Sequence, residues 1–234
     1  MLEEVAYKKR PQKRIAVCTR CAGFTELLER LLDSWGFILC RRDDPSALLL
    51  AEEGACKAMT GRQPIWLCHS GATGRNQIVL PVAFEALWQA VEQKFHHPPR
   101  MHLRMVAELK ARVFLRGEWF ETTLCSLSDM GARFTADREV VKQEEVSIEF
   151  SIDDDVLKYN AQIIFSVPKA DSGLFQSGIL FSGQNSQSRA ELRSVLIRRY
   201  LKAVRDGMDR RAFQDGLAFL DLPAEVRRKL LQVD

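Results

Sequence analysis

The chain has 234 residues, 46% of them hydrophobic and 28% charged, with a formal net charge of +3. That length accommodates one large or two ordinary domains with an ample core, and a charge this small argues against bulk electrostatic capture of nucleic acid. No apolar run reaches the length of a membrane span, and the opening MLEEVAYKKRPQKR is not followed by a signal-peptide core. The expectation is therefore a cytoplasmic chain with no DNA or membrane partner, whose six cysteines stay as thiols.

Residues 1 to about 13 read as a charged leader. Arg14 to Thr19 is a short apolar run predicting a buried strand. Gly23 and Thr25 then open a helix with Leu27, Leu28, Leu31, Leu32 and Trp35 on one side, stopped by Gly36. Phe37–Cys40 predicts a second strand. Asp44 and Pro45 carry the chemistry of a helix start, which predicts a second helix from Ala47 to Glu53, ended by Gly54. Pro64–Cys68 predicts a third strand, and Pro81 to Phe95 a helix carrying Phe84, Leu87, Trp88 and Val91. Alternating strands and helices imply a small parallel sheet with right-handed crossovers.

This stretch resembles, at the level of fold only, a shortened receiver domain of two-component signalling. A receiver needs acids after its first strand and a phosphoacceptor Asp after its third. Here those places read Cys18-Thr19-Arg20 and Cys68-His69-Ser70, while Asp43 and Asp44 follow the second strand. Phosphorylation is not expected, and residues 1–97 read as an interaction or dimerisation module. Cys18, Cys21, Cys40, Cys68 and His69 gather at predicted strand ends, the edge where open α/β sheets carry sites. They raise a zinc or thiol-redox reading beside the plainer one of buried core cysteines.

The clearest chemistry lies in residues 98–131. Pro98 and Pro99 end the helical segment and hold the backbone extended. Arg100 and Arg104 follow, and then a strand alternates. Met105, Ala107, Leu109, Ala111, Val113 and Leu115 face one way, and Glu108, Lys110, Arg112 and Arg116 the other. A second strand from Trp119 to Cys125 leads into Ser126-Leu127-Ser128-Asp129-Met130-Gly131, a polar turn. Arginine forks suit the paired acceptors of guanine and the charge of phosphate.

Arg100-Met101-His102-Leu103-Arg104, the strand pair and the Ser126–Gly131 turn together resemble the PilZ family, whose pattern is RxxxR followed by (D/N)xSxxG. Ser126 stands where the family usually has Asp or Asn. Gly178-Ile179-Leu180-Phe181 is similar to the family's late glycine-containing strand. The resemblance covers roughly residues 98–205. It implies an antiparallel barrel that binds cyclic di-GMP, as one molecule or an intercalated pair, with Arg100, Arg104, Ser126, Ser128 and Gly131 as ligand-binding residues. A serine hydroxyl accepts hydrogen bonds without charge, so Ser126 is expected to weaken binding by about 1 kcal/mol or more.

Beyond the turn, Val146, Ile148, Phe150 and Ile152 alternate with polar residues, as do Ala161, Ile163, Phe165 and Val167. About six strands argue for a barrel. Asp153-Asp154-Asp155 reads as a solvated hairpin tip. From Ser188 to Val204 a helix carries two apolar stripes, Leu192, Val195, Leu196, Tyr200 and Ala203 beside Ile197, Leu201 and Val204. A surface helix needs only one such stripe. The second predicts either a homodimer through this helix or packing against residues 209–234.

The sequence thus predicts an α+β multidomain chain, with a receiver-like parallel α/β sheet (1–97), a PilZ-like β-barrel (98–205) and a helical tail (206–234). The expected function is that of a non-enzymatic cyclic di-GMP receptor that signals through domain or partner contacts. Arg100 and Arg104 sit at the junction, so ordering that segment is expected to alter how the halves meet. The rivals are a ligand-free adaptor for a protein partner and the zinc or thiol protein. No triad, phosphate-binding loop, paired catalytic carboxylate, metal or cofactor is indicated.

Overall fold

The computed structural model describes residues 13–56, 63–70, 74, 76–153, 155–170 and 172–232. The expected leader falls almost wholly outside them. The chain forms two compact units, Met1–Arg100 with Val204–Leu222, and Met101–Ala203 with Pro223–Asp234. The expected tail thus contributes to both.

In the first unit, β1 (Arg14–Cys18), β2 (Ile38–Leu39), β3 (Leu48–Glu52), β4 (Ile65–Cys68) and β5 (Gln77–Val79) form a parallel sheet in the order β2-β1-β3-β4-β5. This is the strand order of flavodoxin-like open sheets. Helix α1 (Ala22–Ser34) buries Phe24, Leu27, Leu28, Leu31 and Leu32. It ends at Gly36, whose φ of +80° lets the chain reverse while Phe37 N–H donates to the Leu32 carbonyl at 3.0 Å.

The helix expected over 47–53 is instead β3. It lies between β1 and β4, and a central parallel strand is apolar on both faces, so Ala47-Leu48-Leu49-Leu50-Ala51 carries no period to separate strand from helix. Asp44 does not open a helix. Its carboxylate accepts from Ser46 N–H at 2.9 Å and Ser46 Oγ–H at 2.7 Å, forming a turn into the strand, and it pairs with Arg14.

The helix expected from Pro81 begins later, because β6 (Val82–Ala83) precedes α2 (Phe84–Phe95). Trp35 packs edge-on against Phe84 and Trp88.

The second unit holds a closed six-stranded barrel. Its strands are β7 (Arg104–Leu115), β8 (Glu118–Ser128), β9 (Gly131–Ala136), β10 (Glu145–Ile152), β11 (Asp155–Pro168) and β12 (Phe175–Ser182), in the order β10-β11-β12-β9-β8-β7, with β7 closing on β10. Val113, Leu124, Leu127, Phe134, Ile148, Ile163 and Ile179 fill it. Arg116 and Gly117, both at positive φ, make the β7–β8 turn that suits the strands' right-handed twist.

Helix α3 (Ser186–Arg205) starts and ends slightly outside the expected bounds. The second stripe is buried within the single chain, with Ile197, Leu201 and Val204 at 2%, 0% and 4% exposure, while the first buries Leu192, Leu196 and Tyr200 and leaves Val195 half-buried and Ala203 exposed. The second stripe therefore offers no face to another subunit, and the expected homodimer loses the observation that motivated it.

The acidic hairpin tip is also not simply solvated. Arg199 donates to Asp153 at 2.8 Å, Lys202 lies 3.9 Å from it, and Arg198 pairs with Asp155. These partners were invisible in the sequence because they come from α3, more than forty residues away.

Past α3, helix α4 (Arg210–Leu217) packs on α1 in the first unit, and β13 (Leu220–Asp221) pairs in parallel with β6. The helices meet through glycine: a Cβ at Gly23 would lie 2.3 Å from the Ala212 carbonyl oxygen, and one at Gly216 2.6 Å from that of Gly23. Helix α5 (Ala224–Leu231) belongs with the barrel unit.

Candidate ligand-binding site

Strand register assembles the site. Ser128 pairs with Arg104 on one side and Gly131 on the other, and Leu180 lies opposite Gly131. One step along, Ser126 pairs with both Val106 and Arg133, and Arg133 pairs with Gly178, which pairs with Phe165. Met105, Leu127, Ala132, Phe134, Ile179 and Phe181 are buried in the barrel, so the residues alternating with them lie on its outer wall. The result is a ledge. Its floor is small (Ser126, Ser128, Gly131, Gly178), with Arg104 and Val106 on one side and Arg133, Leu180 and Phe165 on the other.

The glycines are dictated by close approach. A Cβ at Gly131 would lie 2.1 Å from the Ile179 carbonyl oxygen, and one at Gly178 would lie 2.1 Å from the Phe165 ring, which covers it. Bulges between Val106 and Leu109 and between Leu124 and Ser126 reset the alternation. They turn Ser126 and Ser128 outward together while Leu127 stays inside.

The polar groups of the turn divide into used and unused. Ser128 Oγ–H donates to the Gly131 carbonyl at 3.1 Å and accepts from Met130 N–H at 3.4 Å, closing the turn at Asp129-Met130. Asp129 is buried and accepts two hydrogen bonds from the Arg193 guanidinium on α3, at 2.8 and 3.2 Å. Its other oxygen makes no hydrogen bond among the described residues, and His102 Nδ1 lies 3.0 Å from it, an ion pair only when the imidazole is protonated. Arg104 is anchored through its backbone, since Tyr200 O–H donates to its carbonyl at 3.0 Å. Burial pushes the Tyr200 phenol far above the ordinary tyrosine range, so it remains a donor. Ser126 differs: its buried hydroxyl meets no hydrogen-bonding partner among the described residues.

A model of the PilZ domain matches residues 98–198. That stretch is a PilZ domain. Among solved structures, the chain is similar to the Bacillus subtilis inhibitor of motility (MotI/DgrA), at 18% identity over 44% of this chain and 51% of that one, with a TM-score of 0.39. It is also similar to the PilZ domain of Escherichia coli YcgR with c-di-GMP, at 17% identity over 46% and 95%, TM-score 0.37. A third is the K. pneumonia MrkH–c-di-GMP complex, at 13% identity over 46% and 55%, TM-score 0.39. The chain thus spans about half the length of the first of these. No curated protein matches the sequence.

Of the five residues expected at the PilZ site, Arg104, Ser126, Ser128 and Gly131 come together on the ledge. Arg100 is exposed and is the last residue of the first unit's opening stretch, so the boundary between the units falls within the arginine segment. Arg133 was not anticipated, and Phe165, expected in one alternating row with Ala161 and Ile163, is turned onto the outer wall by the bulge that follows Ile163. The signal for Arg133 was present, because Gly131-Ala132-Arg133-Phe134 alternates outward and inward, but β9 was not singled out as a strand.

The first unit offers a different arrangement. Glu52, at the end of β3, is buried and accepts from Arg20 N–H and Nε–H, both at 2.8 Å, with His69 Nε2 at 2.9 Å. Burial raises the Glu52 carboxyl, but these hydrogen bonds outweigh it and hold it below the ordinary glutamate value. The third strand in sequence is β3, which ends in this ion-paired glutamate, and the strand expected over 64–68 is the fourth, β4, ending at Cys68. All six cysteines are free. Cys40 and Cys56 pack against the buried cluster of Cys18, Ala16, Ala47, Leu49 and Ala51. Burial pushes the Cys56 and Cys68 thiols up, away from thiolate. Among the described residues no group of three or more His, Cys, Asp or Glu is placed to hold a metal, and no helix is long and apolar enough to cross a membrane.

Proposed function

We propose that the PilZ domain binds cyclic di-GMP on the ledge and that the chain is a receptor, not an enzyme, passing ligand occupancy on through its domain or partner contacts. The observation carrying this reading is the register that sets Arg104, Ser126, Ser128 and Gly131 on one outward surface with a floor too small to obstruct a planar ligand. An arginine fork matches guanine O6 and N7 and neutralises phosphate. The Ser126 hydroxyl supplies an unoccupied partner for a base edge. Because the arginine segment contains the unit boundary, a ligand that orders it acts on the connection itself. The proposed setting is the cytoplasm, with no resident cofactor.

Calorimetry with cyclic di-GMP on the full chain tests this. Arg100→Ala and Arg104→Ala are each expected to weaken binding more than about tenfold, through loss of a charge-assisted fork worth about 1.5–3 kcal/mol. Wild-type affinity in both variants removes the assignment.

A second reading, a ligand-free PilZ adaptor for a protein partner, is favoured by Ser126 itself, which brings no charge where the family pattern has an acid or amide. Absence of any cyclic di-GMP heat from the wild type selects it.

A further inference from the structure

Arg133 stands directly across β8–β9 from Ser126, and Val106 completes that row on the far side. Adjacent strands are about 4.8 Å apart, so the backbones of β7 and β9 lie roughly 10 Å from one another. Arg104 and Arg133 therefore flank the serine floor from opposite sides. Among the described residues the Arg133 guanidinium meets no carboxylate. Its contact is the Phe165 ring, with the guanidinium carbon 5.9 Å from the ring centroid. Four other arginines of the barrel unit are held by carboxylates: Arg112 by Glu149, Arg116 by Glu144, Arg193 by Asp129 and Arg198 by Asp155.

Phe165 is itself fixed. It follows a bulge in β11 and covers Gly178, which has no side chain to lift it. A guanidinium resting by a fixed aromatic face keeps its planar donor fork, and less freedom is lost when that fork engages a ligand.

We propose that Arg133 is a further specificity-determining residue of the ledge, reading the O6/N7 edge of a guanine, with Phe165 positioning its guanidinium. This rests on the cyclic di-GMP reading above and deepens it. The planar fork suits a guanine edge and a phosphate alike, so base reading is the part of the proposal that the preference over cyclic di-AMP tests. Ser126 and Arg133 then form a neighbouring pair, the hydroxyl offering an acceptor or donor at the base edge and the fork supplying two donors.

The test is calorimetry on the full chain with cyclic di-GMP and cyclic di-AMP, for wild type, Arg104→Ala, Arg133→Ala, Arg133→Lys and Phe165→Leu. Near-ultraviolet circular dichroism and melting midpoints establish that each variant is folded. Arg133→Ala should weaken cyclic di-GMP binding about tenfold or more, as expected for one bidentate arginine–guanine pair, and should narrow the preference over cyclic di-AMP. Arg133→Lys should fail to restore either quantity, since it keeps the charge without the fork. Phe165→Leu, which preserves cover over Gly178, should cost less than Arg133→Ala.

If Arg104→Ala abolishes binding while Arg133→Ala binds like wild type, the inference falls and the receptor reading stands. Rescue by Arg133→Lys means a phosphate contact and overturns base reading. A wild type that binds neither dinucleotide overturns both.

Discussion

The two candidate edges, one in each unit, treat their polar groups in opposite ways. At the carboxyl edge of the parallel sheet, Glu52 is buried and closed off by Arg20 and His69, so the polar groups satisfy one another. On the barrel wall, Ser126 has no hydrogen-bonding partner and Arg133 meets only an aromatic ring among the described residues. Buried polar groups are nearly always paired, so the place where pairing is left open is the better candidate for a ligand. The open α/β edge, where sites commonly lie, is here a structural ion pair. The commonplace surface of a barrel carries the open chemistry.

The largest expected effect comes from filling the ledge's floor. Gly131→Ala sets a Cβ 2.1 Å from the Ile179 carbonyl oxygen, backbone that cannot swing aside, and must part β9 from β12. It should lower stability by about 3 kcal/mol, read as a fall in denaturation midpoint, and abolish ligand binding with it. Gly23→Ala is the counterpart in the first unit, 2.3 Å from the Ala212 carbonyl oxygen, and should loosen α4 from α1. A Gly131→Ala chain as stable as wild type would mean that the strands are less closely apposed than described.

The closed edge should reveal itself through pH. Glu52 titrates below its ordinary value of 4.5 in the folded chain, so its contribution is complete above that value and disappears as pH falls through the lower, folded one. Glu52→Gln should therefore destabilise the chain by about 1–2 kcal/mol at neutral pH, modestly because both partners are more than half exposed. The difference from wild type should shrink below about pH 4.5. Thermal melts across pH 3–7 measure it. A constant difference over that range would show that the ion pair adds nothing and that only packing was lost.

These features were unequally legible. The barrel's alternating strands and the RxxxR and SxxG spacings are local signals, and they located Arg104, Ser126, Ser128 and Gly131. Strand β3 was misread because burial on both faces erases the alternation that identifies a strand. Alternation marked Arg133 as an outward position, but not that it faces Ser126, because facing requires register and two bulges shift the register of β8 against its neighbours. The return of residues 204–222 to the first unit depends on backbone contact at Gly23 and Gly216, far apart in sequence, and no local pattern announces it. The acid partners of α3 were hidden for the same reason.

The smallest effect tests whether the open site is open by chance of one residue. Ser126→Asp restores the acid of the family pattern and supplies a charged acceptor to guanine N–H groups, which should tighten cyclic di-GMP binding several-fold, about 1 kcal/mol. The new carboxylate would also face Arg133 across the strand pair, and an ion pair between them would draw off part of the gain. The two contributions separate by experiment. In an Arg133→Gln background that competing pair is gone, so the Ser126→Asp gain should be larger than in the wild-type background, although absolute affinity is lower. In the single variant the gain should change little with salt, because Ser126 is buried and a pair made there is weakly screened. Calorimetry in both backgrounds at two ionic strengths decides it. Equal gains would show that Ser126 and Arg133 act independently, and a loss with Ser126→Asp in both would mean that the turn's serine is not at the ligand's edge.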